Sequence, residues 1–241
     1  MPHHEDNDFS APATTLDFSA LLFDMDGTII DSTPAIVKYW HETGREIGVD
    51  GDVILETSHG RRSIDVLRLL APDRANWDYV CAAEGQIPLK HGSDAVEIPG
   101  SRALLSHLET LGAPWAIVTS GTRPLVTGWL DVMKLAHPRF LVSAEEVQEG
   151  KPDPACYLLG AERLGLKGGE GEVLVLEDAP AGVRAGKAAG FKVVGLATTH
   201  EVGKLREAGA DWIVRDLRSV TVEGWDGKRR VVRVRIADAL V

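Results

Sequence analysis

The stretch Leu21-Leu22-Phe23-Asp24-Met25-Asp26-Gly27-Thr28 restricts the possible folds of this chain more than any other segment. Its first three residues are uniformly apolar and stop abruptly, which predicts a short strand buried on both faces, as in a parallel sheet. Two carboxylates follow at alternate positions, then a glycine and a hydroxyl. A parallel strand that delivers Asp24 at its carboxyl end puts that side chain where open α/β sheets bind ligands. Taken alone, Asp26-Gly27 also fits an ordinary polar turn.

The same pattern returns downstream. Trp115-Ala116-Ile117-Val118 predicts a buried strand ending in Thr119-Ser120-Gly121, Phe140-Leu141-Val142 another, and Val173-Leu174-Val175-Leu176 one that ends in Glu177-Asp178. Val193 to Leu196 and Trp212 to Val214 complete the set. Leu104, Leu105, Leu108 and Leu111 form a helix stripe with Gly112 as its stop. Strands alternating with helices predict an α/β fold, a doubly wound parallel sheet covered on both faces.

Between Thr33 and Glu97 the rhythm lapses. Ile36, Val37, Trp40 and Ile47, then Val53 to Leu55, Ile64 to Leu70 and Trp77 to Ala83 predict helices and no strand. The expected organisation is a flexible tail over 1–17, a core over 18–32 and 97–241, and a helical insert over 33–96. Val222 to Trp225 and Val231 to Ile236 flank Asp226-Gly227, which predicts a C-terminal β-hairpin. Gly182, Gly186 and Gly190, every fourth residue, predict close packing of a helix on the sheet.

A net charge of −10 argues against nucleic acid or an anionic membrane as partner. No apolar run approaches the ~20 residues of a bilayer span, and the opening Met1-Pro2-His3-His4-Glu5-Asp6 is neither a signal nor a transit peptide. Two cysteines, Cys81 and Cys156, make no disulfide framework. The expectation is a reduced, cytoplasmic monomer. A phosphate ester stays open as substrate, because one divalent cation and a few basic groups reverse a local field.

Parallel strands bring their carboxyl ends together, so Asp24, Asp26, Thr119, Ser120, Glu177 and Asp178 should share one crevice. Crowded carboxylates need a cation, and an all-oxygen donor set without cysteine points to Mg²⁺. Asp178 before Ala179-Pro180 also fits a capped helix start. Gly150-Lys151-Pro152-Asp153-Pro154 fixes a lysine in a stiff loop, where it can face a phosphate.

These four pieces, in this order from about Phe18 to Asp216, resemble the haloacid-dehalogenase-like hydrolase superfamily and its phosphatase branch. Ser58-His59-Gly60-Arg61-Arg62, Val118-Thr119-Ser120-Gly121-Thr122 and Glu177-Asp178-Ala179-Pro180-Ala181-Gly182 are similar to the fungal glycerol-3-phosphatase and 2-deoxyglucose-6-phosphatase group. The resemblance implies that the insert is a cap and that Asp24 attacks phosphorus to form an aspartyl-phosphate. It gives Asp26 the acid/base role, and Thr119 and Lys151 the phosphoryl oxygens. Mg²⁺ would sit among Asp24, the Asp26 carbonyl and Asp178, with Glu177 bound directly or through water. Gly27, Thr28, Ser120, Gly121, His59 and Arg62 would bind substrate, with Arg61 on the same cap loop and Glu56 and Glu84 as further polar cap residues. The implied substrate is a small phosphorylated polyol or sugar. A phosphomutase on the same scaffold and a non-catalytic binding protein remain the competing readings.

Overall fold

The computed structural model describes residues 8–58, 60–166 and 171–241. At its centre, β2 (Ala20–Phe23) pairs in parallel with β5 (Trp115–Val118) on one side and β7 (Val173–Glu177) on the other. β6 (Phe140–Val142) extends the sheet beyond β5, while β8 (Lys192–Leu196) and β9 (Trp212–Val214) extend it beyond β7. The order is β6-β5-β2-β7-β8-β9, and every pair is parallel. All residues of β2, β5 and β7 are buried, which is why these strands read as continuous apolar runs rather than alternating ones. Their side chains nonetheless part by the two-residue period: Leu21 and Phe23 enter one core cluster, Leu22 the other.

Helices α6 (Ser101–Leu111), α7 (Arg123–Met133), α8 (Ala155–Arg163), α9 (Pro180–Ala188) and α10 (Val202–Ala208) connect the strands. The expected close packing holds at Gly182 and Gly186 but not at Gly190, which lies past the end of α9 at φ +82° with nothing within 4 Å of a Cβ. A Cβ at Gly182 would lie 1.5 Å from Glu177 Oε1, and one at Gly186 would lie 2.9 Å from Val193 Cγ2. Ala179, not Asp178, is the N-cap residue of α9, so the capped-start reading of Asp178 is not what the chain adopts.

Between β2 and α6 the chain leaves the sheet through β3 (Ile30–Asp31) and returns through β4 (Val96–Glu97), an antiparallel ribbon. Strands of two residues are too short to show a periodicity, so no pattern in the sequence marks them. The segment between them is the helical cap: α1 (Thr33–Ile47), α2 (Gly51–Ser58), α3 (Ser63–Leu70), α4 (Trp77–Gly85) and α5 (Ile87–His91). Glycines set the approach of cap and core. A Cβ at Gly85 would meet Pro124 at 3.0 Å, and one at Gly128 would meet Pro88 at 2.9 Å, so α4 and α5 lie tightly on α7.

The expected hairpin forms from β10 (Val220–Asp226) and β11 (Val231–Ile236). It has a third member, which corrects the expected tail over 1–17. β1 (Thr14–Phe18) pairs antiparallel with β11, in register Phe18↔Val232. Leu16 and Phe18 face inward while Thr15 stays exposed, the alternation of a half-buried strand. Among the described residues no helix is long and apolar enough to cross a membrane.

Candidate active site

The Asp24 N–H donates to Leu176 O at 3.0 Å, extending the β2–β7 ladder by one residue. The side chain therefore emerges at the carboxyl edge of the sheet. The chain then folds back on itself: Met25 O accepts the N–H groups of Thr28, Ile29 and Ile30. Gly27 occupies this turn at φ +87°, and a Cβ there would lie 2.2 Å from Asp178 Oδ2. Both the left-handed backbone and the approach of Asp178 exclude a side chain at this position.

Lys151 is buried among the carboxylates. Its Nζ donates to Asp24 Oδ1 at 2.6 Å, to Glu177 Oε1 at 2.7 Å and to Val118 O at 3.1 Å, and it lies 5.0 Å from the Tyr157 ring centroid. Glu177 also accepts the Tyr157 hydroxyl at 2.9 Å and the Ala179 N–H at 2.9 Å. Asp178 accepts Thr28 Oγ1 at 3.3 Å and, more closely, the Thr199 hydroxyl. The Ser32 hydroxyl donates to Asp26 Oδ1 at 2.5 Å. Thr119 Oγ1 accepts the Gly121 N–H at 3.0 Å, which leaves its own proton to donate.

Electrostatically the cluster is short of positive charge. Burial pushes the Asp24 carboxyl well above the usual range; Lys151 pulls it back, and Glu177 and Asp178 push it further up. Burial and the Glu177 charge push Asp178 up to about 8. Asp26 is raised chiefly by burial, against the Ser32 hydroxyl. Asp24, Glu177 and Asp178 each offer an oxygen within 4.8 Å of the others, so three carboxylates face one ammonium. Such a hard-oxygen set with an excess of negative charge fits a divalent metal ion. Within it the two Glu177 oxygens already accept three donors, which favours Asp24 and Asp178 as direct ligands.

Asp24, Asp26, Gly27, Thr119, Ser120, Gly121, Lys151, Glu177 and Asp178 line a single cavity beneath the cap. Other expected site residues stand elsewhere or act differently. Thr28 is fully buried behind Asp178, which it holds, rather than on the cavity wall. The Gly27 N–H donates to Ile30 O at 2.7 Å, so it shapes the turn instead of facing a ligand. The Ser120 hydroxyl donates to Gly60 O on the cap at 3.1 Å.

Arg62, expected on substrate, is 2% exposed and points away from the cavity. It donates to both Asp65 oxygens and to the carbonyls of Ala144, Val147 and Gln148, joining cap to core. Its loop neighbour Arg61 lines the cavity instead. His59 lies outside the described residues.

Sequence reasoning missed Ser32, Tyr157 and the run Thr198-Thr199-His200. Thr198 Oγ1 donates to Gly27 O at 2.5 Å, and Thr199 and His200 line the cavity. The run follows β8, so the strand-end rule that found Glu177-Asp178 would have found it as well.

An open parallel sheet with this carboxylate-and-lysine cluster at its carboxyl edge defines a class of hydrolases. The chain belongs to the haloacid dehalogenase-like hydrolase family, whose model matches residues 18–190, and it is an enzyme of the phosphatase kind. It is 40% identical over 240 residues to glycerol-1-phosphate phosphohydrolase 1 of Saccharomyces cerevisiae, covering 95% of this chain and 96% of that one. It is 39% identical over 205 residues to hexitol phosphatase A of Escherichia coli, covering 83% of this chain and 92% of the other. A hydrolase of known structure from Pseudomonas syringae superposes with a TM-score of 0.69 at 25% identity, over 82% of this chain and 94% of that one.

Proposed function

We propose that this protein hydrolyses a small polyol or sugar phosphate monoester through an aspartyl-phosphate on Asp24. The observation that carries the reading is the Asp24–Lys151–Glu177 contact at the sheet edge, with Asp178 beside it. The Asp24 carboxylate attacks phosphorus and displaces the alcohol, splitting one hard displacement into two easier steps. Asp26, its carboxyl raised by burial, protonates the departing alkoxide and later takes a proton from the water that attacks the aspartyl-phosphate. Lys151 and the Thr119 hydroxyl hold the phosphoryl oxygens as charge spreads over them. Asp24, Asp178 and the Asp26 carbonyl would hold Mg²⁺, with Glu177 near it. Bound there, the ion would neutralise the carboxylates and polarise the phosphoryl group.

Substrate size follows from the cavity, about 100 Å³, well below the ~300 Å³ at which drug-sized ligands begin to fit. Its cap side carries Thr33, Ser58, Ser63 and Arg61, polar groups suited to hydroxyls, and relatives named for glycerol phosphate and hexitol phosphates support the same class. Phosphate release from a panel of esters tests the proposal. Three- to six-carbon polyol and sugar phosphates are expected to exceed nucleoside monophosphates by at least ~100-fold in kcat/KM, about 2.7 kcal/mol. EDTA should abolish activity and Mg²⁺ restore it. Full activity in EDTA, or a nucleotide as the best substrate, contradicts the proposal. A phosphomutase would isomerise a sugar phosphate without stoichiometric release of inorganic phosphate.

A further inference from the structure

Glu84, on α4, is a buried carboxylate that the chemistry above does not use. It is 3% exposed and lines the catalytic cavity from the cap side. Its oxygens accept the Ser63 hydroxyl at 2.5 Å and the Thr122 N–H, at the start of α7, at 2.8 Å. Tyr39 lines the same cavity. Its hydroxyl is buried and makes no hydrogen bond of normal length and angle among the described residues, though the Thr43 and Ser63 hydroxyls stand near it. Burial raises the Tyr39 pKa first and the Glu84 charge raises it further, while the Thr43 and Ser63 hydroxyls draw it back.

Each group points to the same ligand chemistry. A buried hydroxyl left unpaired is costly, and native structures normally supply it a partner, here one that arrives with the ligand. A carboxylate has lone pairs beyond the two donors it already meets, and those lone pairs accept hydroxyl protons. Its charge also opposes any second anion in the same desolvated space. The phosphoryl group belongs at the Asp24–Lys151 floor, so Glu84 and Tyr39 meet the organic tail of the ester.

We infer that Glu84 sets tail specificity: with Tyr39 it hydrogen-bonds the hydroxyls of a neutral polyol or sugar tail and excludes tails that carry a carboxylate. This rests on the polyol-phosphate reading above. The bonds to Ser63 and Thr122 also join cap to core, but a join alone would change all esters alike.

The test compares kcat/KM for glycerol phosphate and 2-phosphoglycolate, a carboxylate-tailed ester, with p-nitrophenyl phosphate as a control for the working enzyme. Wild type is expected to favour glycerol phosphate by at least about tenfold. Glu84→Gln keeps an acceptor for Thr122 N–H, and it should close most of that gap by gaining on 2-phosphoglycolate. Tyr39→Phe leaves the charge in place and should lower glycerol phosphate turnover several-fold while sparing 2-phosphoglycolate.

A ratio unchanged within twofold in Glu84→Gln, both esters falling together, overturns the inference and leaves the polyol reading standing. If Glu84→Gln does not fold, an unchanged ratio in Tyr39→Phe overturns it. A wild type that prefers 2-phosphoglycolate overturns it directly. A wild type that cleaves only p-nitrophenyl phosphate defeats the polyol reading, and this inference falls with it.

Discussion

Lys151 is held between Asp24 and Glu177 at 2.6 and 2.7 Å with its side chain almost wholly buried, so its charge cannot wander to solvent. A cation fixed beside Asp24, the proposed nucleophile, matches charge that develops on the transferring group more than charge already present in the bound ester. Lys151→Ala is therefore expected to lower kcat by about 10²–10³ and to raise KM much less. Steady-state kinetics separate the outcomes: an unchanged kcat with a raised KM would make Lys151 a plain binding group. At this scale the sequence was legible wherever a side chain ends a buried strand, as for Asp24, Thr119, Glu177 and Asp178. It misled where a residue's partners lie far along the chain. Thr28 meets Asp178 from 150 positions away, and Tyr157 meets Glu177 across a helix–strand crossing that no local pattern marks.

One element that joins cap to core is the short turn Ala144–Glu146 with the residues after it. Its Ser143 side chain accepts and donates in a capping box with Glu146, and Arg62 of the cap reaches the carbonyls around it. Removing Arg62 leaves these buried carbonyls and Asp65 short of donors. Arg62→Ala is expected to cost about 2–4 kcal/mol of stability, a fall in Tm of about 5–15 °C. A substrate-binding arginine would instead leave Tm unchanged and raise KM alone, so thermal unfolding beside kinetics decides between the roles.

Glu146 gives the same turn a pH dependence. Burial pushes its carboxyl up, but the Arg163 bond and the Ser143 amide and hydroxyl outweigh that and bring it to about 2 from an ordinary 4.5. A folded pKa below the unfolded one stabilises above the unfolded value and is lost as pH falls through the folded value. The Tm difference between wild type and Glu146→Gln should thus be full above about pH 5 and vanish near pH 2. A difference that holds constant across that range would remove the ion pair with Arg163 from the account. Elements with three or more residues of clear period were readable in the sequence. The β3–β4 ribbon was too short to show one. β1 did show a period in Thr15-Leu16-Asp17-Phe18, and it was obscured by the polar residues ahead of it.

Across the whole molecule, the cavity is assembled from the ends of β2, β5 and β7, the loop that carries Lys151, and a cap that enters between β3 and β4. The sheet order puts β2 between β5 and β7, which is why carboxylates more than 150 residues apart in sequence become neighbours. Tight contact of α4 and α5 with α7 sets the cap over that floor and limits the volume open to substrate. The fold was legible because alternating strands and helices allow few arrangements, whereas the roof of the cavity depends on how two packed surfaces meet, which no single segment encodes.

Asp24, so placed, is proposed as the nucleophile of a metal-dependent phosphomonoester hydrolase. That role is tested by inorganic phosphate release from glycerol phosphate with Mg²⁺, measured on wild type and Asp24→Asn side by side at matched Tm. The asparagine variant is expected to keep less than about a thousandth of wild-type kcat, a loss of at least ~4 kcal/mol. A folded variant that retains a tenth or more of wild-type turnover would contradict it.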